Sequence, residues 1–371
     1  MFYGEHVTFP QRIKQVSDAL TVAGIDAAMI TPGADLRYLT GYDAKALERL
    51  TCLVIRAGQD PVLVVPALEV LAAEASPVGG LGIELRSWQE TDDPYRLVAS
   101  LAPNARRVAL DDHMWAQKVL DLRRAMPSAE QVLAGALIHP LRMRKDADEI
   151  EALRTAGAAI DHVHEQVPGL IRPGMSERAV GALIADRILA AGHVAVDFVI
   201  VASGLNGASP HHEVSDRVIE NGDCIVVDIG GTMPDGYRSD CTRTYVVGDP
   251  DPQFTQWYAA LLVAQQAATD IVRPGVTCEQ VDAAARQVLT DAGIGNLFIH
   301  RTGHGIGLES HEEPYIVAGN DLRLEAGMAF SIEPGFYQAG RFGARIEDIV
   351  ICTREGVEAV NHRPRELVSA G

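Results

Sequence analysis

The chain has 371 residues, 47% hydrophobic and 22% charged, which makes it globular and long enough for two domains. A formal net charge of −18 argues against nucleic acid or an anionic membrane as a partner. The five cysteines, odd in number and without a Cys-x-x-Cys pair, argue against a disulfide framework or a thiolate zinc site.

The N-terminus, "MFYGEHVTFPQRIKQV", lacks the basic start and apolar core of a signal peptide, and no apolar run is long enough for a bilayer. A soluble, cytoplasmic protein is therefore expected. "PQRIKQVSDALTVAGI" (residues 10–25) has apolar positions at helical spacing and stops at Gly24. "DAAMIT" (26–31), "TCLVIRAG" (51–58), "DPVLVVPAL" (60–68) and "RVALDD" (107–112) predict short buried strands. These elements make an α/β domain that reaches residue 140 and carries no catalytic cluster; His113 and Trp115 read as structural. At 139–156, "HPLRMRKDADEIEALRTA", a proline and a basic run lead into a long helix, and a second domain begins.

That second domain contains a repeat. "RPGMSERAVGALIADRILAAG" (172–192) and "RPGVTCEQVDAAARQVLTDAG" (273–293) align without a gap at an offset of 101, with seven of 21 columns identical. Each predicts a turn and then a helix, opened by Ser176 or Thr277 as N-cap and closed by glycine. The correspondence continues into the strands that follow, "ENGDCIVVDIGG" (220–231) and "EAGMAFSIEPGF" (325–336). Asp228 lies six residues after Gly222, and Glu333 six after Gly327. A duplicated unit thus sets one carboxylate at the same point of each half.

Each half adds a second acid, Asp240 and Glu347, at the edge of an apolar segment where an unpaired carboxylate is costly. Arg238, Arg243 and Arg345 are near enough in sequence to neutralise some of them. Four acids brought together by pseudo-twofold symmetry repel one another unless dications lie between them. Such a donor set suits hard cations, and one imidazole completes a two-metal site. The segment "HRTGHGIGLESHEEP" (300–314) offers that imidazole: His304, in a glycine frame, is the ring best able to approach a buried ion. His211 and His311 are then candidates for proton transfer and transition-state contacts. His162, His164, His193 and His362 read as solvated, Glu312 and Glu313 as support for His311, and Cys241 as packing with a potential sensitivity to oxidation.

"HHEVSDRVIENGDCIVVDIGG", "SDCTRTY", "HRTGHGIGLESHEEP", "SIEPG" and "ARIED" together resemble the motif series of the pita-bread metallopeptidases. More narrowly they resemble the Xaa-Pro branch, prolidase (Xaa-Pro dipeptidase) and aminopeptidase P. "ITPGADLRYLTGY" (30–42) is similar to the creatinase-type N-terminal domain of that branch. The resemblance implies an α/β creatinase-like domain over 1–140 and an α+β, pseudo-twofold duplicated pita-bread catalytic domain over 141–371. It implies Asp228, Asp240, His304, Glu333 and Glu347 as ligands of two divalent ions, with Asp240 and Glu347 bridging, Asp228 on one ion, and His304 with Glu333 on the other. His211 and His311 match the catalytic histidines, His300 a residue lining the proline pocket, and Arg345 an arginine associated with the site. The interval from Asp228 to Asp240 is one residue longer than in many relatives.

The implied reaction is cleavage of an Xaa-Pro bond by a metal-bridging hydroxide, with Glu333 moving the proton. Dipeptides or short peptides are the implied substrates, and the short N-terminal domain favours the dipeptidase over aminopeptidase P. The oxygen-rich ligand set favours manganese or cobalt over zinc. A homodimer, in which the N-terminal domain covers a neighbour's site, follows from the resemblance. A metal-free binding protein and a creatinase-like amidinohydrolase both fit less well, because neither needs the full ligand set. A methionine aminopeptidase lacks the extra N-terminal domain.

Overall fold

The apolar runs of the first third lie side by side in a six-stranded sheet. In the computed structural model, which describes residues 6–371, these residues form two units, His6–Arg142 and Met143–Gly371. The first holds strands β1 (Ala27–Ile30), β2 (Cys52–Arg56), β3 (Val62–Pro66), β4 (Glu84–Trp88), β5 (Arg107–Leu110) and β6 (Glu130–Leu133), in the order β4-β3-β2-β1-β5-β6. β1 runs antiparallel to β2 and parallel to β5. Every residue of β1 and β3 is buried, which is what continuous apolar runs in a mixed sheet require. Edge strand β4, "ELRSW", is mostly exposed and lacks the apolar run that marks a strand in the sequence. The helices are α1 (Phe9–Ala23), α2 (Ala34–Thr40), α3 (Val70–Ala75), α4 (Pro94–Leu101), α5 (Ala116–Ala125) and α6 (Gly135–Met143). Thr8 and Gln11 close a capping box on α1, and Gly24 ends it in the left-handed conformation.

The second unit opens with α7 (Ala147–Leu170), capped by Asp146, and continues through α8 (Glu177–Ala190), β7 (Ala195–Ser203), β8 (Cys224–Thr232) and β9 (Arg238–Val246). Its second half comprises α9 (Pro252–Asp270), α10 (Cys278–Asp291), β10 (Gly303–Gly305), β11 (Glu312–Ile316), β12 (Ala329–Ile332), β13 (Gly335–Gln338), β14 (Phe342–Arg345), β15 (Asp348–Cys352), β16 (Val357–Ala359) and β17 (Val368–Ser369). The repeat is structural: α8 and α10 begin and end 101 residues apart. The Ser176 hydroxyl accepts from Ala179 N and the Thr277 hydroxyl from Gln280 N. Gly174 and Gly275 both have φ of 90°, a left-handed value that disfavours a side chain. Their N–H groups donate to Ile219 O and Leu324 O, equivalent points on the two returning chains.

Each half packs helices against one face of its strands. Ile160, Val180 and Ile184 bury against Val201, Val227 and Ile229, and Leu261, Val281 and Leu289 against Phe330, Ile332 and Val350. Side chains alternate along a strand, so the helix-facing residues fix which residues face the other way. On β8 and β9 those are Asp228 and Asp240; on β12 the alternation continues through Ser331 to Glu333. The helices therefore decide which face collects the acids.

Candidate metal centre

Antiparallel β8 and β9 pair Gly230 with Asp240, which leaves Asp228 two residues along the same face. β12 and β15 pair Ile332 with Asp348, so Glu333 and Glu347 follow opposite each other at the end of that ladder. The halves meet through a bridge between Thr242 and Glu347, whose N–H donates to Thr242 O at 3.1 Å. The Thr242 hydroxyl donates back to Glu347 Oε2 at 2.7 Å.

His304 comes from β10, which pairs with β12 through Gly305 and Phe330. A Cβ on Gly303 would run into Ser331 O, so only glycine lets the strands close here. Gly303→Ala is expected to lower stability by about 1–3 kcal/mol, the range for overpacking a core, read as a drop in thermal midpoint. His304 N donates to the Ser331 hydroxyl at 3.0 Å, and that hydroxyl donates to Glu333 Oε1 at 3.2 Å. His304 Nδ1 faces Gly305 O at 3.1 Å, which directs Nε2 to the acids: 3.4 Å from Glu333 Oε1 and 3.8 Å from Asp240 Oδ2. Donor atoms of Asp240, His304 and Glu347 all lie within 4.8 Å of one another. Asp228 lines the same cavity, about 880 Å³ in volume.

Burial, then the charges of Asp228 and Glu333, raise the proton affinity of Asp240 well above the usual carboxylate range. Burial, with Asp240 next, does the same for Glu347. Glu333 is pushed up to about 7 by burial, against the pull of Arg345. Burial holds His304 neutral by lowering it to about 3, the state in which an imidazole ligates a metal. Arg345 is a cation woven into the cluster: Nη2 donates to Asp228 Oδ2 at 2.6 Å. The other Asp228 oxygen, Oδ1, is buried without a hydrogen-bond partner, a costly arrangement that a cation would relieve. Oxygen donors, a single neutral imidazole, and acids too mutually repulsive to ionise together fit a pair of hard divalent ions.

Residues 151–354 match the model of metallopeptidase family M24, and residues 12–144 that of the creatinase/prolidase N-terminal domain. The chain belongs to metallopeptidase family M24. It is 52% identical over 361 residues to the probable dipeptidase PepE of Mycobacterium tuberculosis, covering 97% of this chain and 96% of that one. It is 36% identical over 353 residues to the Xaa-Pro dipeptidase of Lactobacillus helveticus, with 92% and 94% covered. The crystal structure of dipeptidase PepE from Mycobacterium ulcerans superposes with a TM-score of 0.94 at 53% identity over 99% of each chain. The creatinase-like domain and the pita-bread catalytic domain are thus the M24 architecture.

Around this cluster of acids and His304, His211, His300, His311 and Arg345 all line the cavity. The His311 ring lies 3.9 Å from that of His304. His300 has both nitrogens committed, Nδ1 to Arg301 O at 2.7 Å and Nε2 to the Tyr337 hydroxyl at 2.9 Å, so it offers the cavity only its ring carbons. Arg345 is similarly committed. Beside Asp228, it donates to the Tyr337 hydroxyl, Pro210 O and the Thr242 hydroxyl, which uses four of its five N–H groups on the protein. It acts on the carboxylates and their neighbours, not as an open fork.

Several expectations require correction. His164 and His193 are buried, not solvated. His164 bonds the Tyr245 hydroxyl and Cys241 O; His193 bonds Ile188 O and the Ser239 hydroxyl. The signal was present: His164 lies four after Ile160 and three before Val167, on the buried stripe of α7, whereas His162 lies off it. Arg243 shares its strand face with Cys241 and Tyr245, away from Asp240, and pairs with Asp348 at 2.6 Å. Arg238 pairs with Asp197 at 2.5 Å. Cys241 is fully buried and burial raises its thiol well above the usual range, which suits packing and not oxidation. Glu312 forms a buried ion pair with Lys145 at 2.5 Å. Tyr337 and Arg301 were missed, although Arg301 stands inside the quoted histidine segment.

Proposed function

We propose that the chain is a metal-dependent Xaa-Pro dipeptidase. The observation that carries this is the convergence of Asp240, His304 and Glu347 in one cavity with Asp228 and Glu333, in a chain matched along its length by dipeptidases. Asp240 and Glu347 would hold both ions, Asp228 one, and His304 with Glu333 the other. When bound, two such ions lower the pKa of water and polarise the scissile carbonyl. Glu333, a carboxylate beside the ions, takes the proton of the attacking water and returns it to the leaving nitrogen. His211 and His311 donate to the oxygen or nitrogen that gains charge in the transition state. Arg345 fixes Asp228 through the 2.6 Å pair. Manganese or cobalt suits the oxygen-rich donors, and a homodimer is the assembly proposed.

Arg301 supports a dipeptide substrate. It lines the cavity, its guanidinium lies 4.4 Å from the Tyr315 ring centre, and Nη2 is 3.4 Å from His311 Nδ1. Among the described residues it forms no ion pair with a carboxylate, so its charge is available to the C-terminal carboxylate of a substrate. Arg301→Ala is expected to raise KM for Ala-Pro about tenfold, the loss of one charge-assisted hydrogen bond, with kcat little changed. Steady-state kinetics check this.

The reading is tested by loading the protein with manganese or cobalt and comparing Ala-Pro with Ala-Pro-Gly-Gly. Preferential cleavage of the dipeptide is expected. Preference for the tetrapeptide would reassign the chain to the aminopeptidase P type. Inactivity on both with every divalent metal would falsify the proposal.

A further inference from the structure

The segment between β7 and β8 carries Pro210, His211 and His212, and its anchor lies outside the metal cluster. Glu177, the first residue of α8, is fully buried. Its Oε1 accepts from Ser203 N and Oγ, both at 2.7 Å, and from Asn206 Nδ2 at 3.0 Å. Its Oε2 accepts from the Ser215 hydroxyl at 2.5 Å and from His212 Nε2 at 2.8 Å. Burial alone would raise this carboxyl, but bonds from Ser215, Ser203 and His212 outweigh it and hold it at about 2. On the other side of His211, Pro210 O accepts from Arg345 Nη1 at 3.2 Å. His211 itself is exposed and makes up part of the cavity wall.

We propose that the Glu177–His212 pair is a positioning device that aims His211 at the substrate. This rests on the dipeptidase reading and on the role given there to His211. His212 cannot transfer a proton through Nε2, because that nitrogen is bonded to Glu177. What the pair does is fix the backbone on one side of His211 while Arg345 fixes the other. An imidazole on a connection of some 20 residues (204–223) would otherwise sample many rotamers and loop conformations. A displacement of about 1 Å at a reacting group costs as much as a hundredfold in rate.

The test is a double-mutant cycle on Ala-Pro hydrolysis with the metal-loaded protein. His212→Ala is expected to lower kcat about tenfold or more, with KM and metal content nearly unchanged. In a His211→Ala background the same change should cost less than about twofold, because the residue it acts through has gone. His212→Gln, which keeps a donor, should recover part of the loss. An equal loss in both backgrounds, or no loss in the wild type, overturns the proposal. Imidazole signals in NMR spectra of histidine-labelled protein supply a readout independent of turnover. The His211 line, assigned with His211→Ala, should shift or broaden in His212→Ala, and an unmoved line overturns the proposal. A wild type inactive on dipeptides would instead sink the dipeptidase reading, and the NMR arm would still decide the positioning.

Discussion

Replacing Glu347 by glutamine is expected to abolish hydrolysis and, in the metal-free protein, to raise thermal stability. Both effects follow from one fact: Glu347 is buried among like charges, where the Thr242 hydroxyl donates to its Oε2. The amide fills the same space but brings no charge to a site that needs charge to hold ions. Losing several kcal/mol of metal-derived transition-state stabilisation corresponds to a fall in kcat of about a thousandfold or more. Bound metal, measured by elemental analysis, should drop below two ions per chain. The same substitution removes one member of a set in which burial, Asp240, Glu333 and Asp228 all disfavour the ionised form. Without ions Arg345 and the Thr242 hydroxyl offset only part of that penalty, so the glutamine variant should melt above the wild type when both are stripped near pH 8. Retention of both ions with near-native turnover, or a lower melting point in the stripped variant, would contradict the account. The site trades stability for function, as active sites commonly do.

How much of this was legible in the sequence depends on whether a feature is local. The helix starts at Ser176 and Thr277 were readable because a cap is a matter of a few adjacent residues. The carboxylate positions were readable because the duplication puts Asp228 and Glu333 six residues after equivalent glycines. The assignment of cations was not. Arg243 and Arg345 both stand close to a site carboxylate in sequence, yet one serves Asp348 behind the sheet and the other Asp228 in the cavity. Strand alternation could have separated Arg243 from Asp240, since three positions put them on opposite faces. No sequence rule brings Arg345 to Asp228, 117 residues away, because that contact exists only once the halves are joined. The same holds for Glu177 and His212, 35 residues apart. The buried histidines were misread because a polar residue type was given more weight than its place on an apolar stripe.

Stripping the ions with a chelator is expected to cost more thermal stability near pH 8 than near pH 5.5, and the sign is fixed by the acids. Glu333 ordinarily titrates at 4.5 and is raised to about 7 in the metal-free fold, with Asp240 and Glu347 raised as well. Across that window the folded chain keeps protons that the unfolded chain has released, so metal-free stability falls as pH rises. Glu333 alone accounts for a swing on the order of a few kcal/mol. Below the ordinary carboxylate range the penalty vanishes, because folded and unfolded chains are protonated alike. Bound ions reverse the dependence: they compete with protons for the same oxygens, so they bind more tightly and stabilise the fold more as pH rises. The two trends diverge, and the gap between loaded and stripped melting points should widen with pH. Adding manganese to stripped protein in weak buffer near pH 6.5 should correspondingly release protons. A gap independent of pH, or metal binding without proton release, would mean that the acids are already ionised in the metal-free fold.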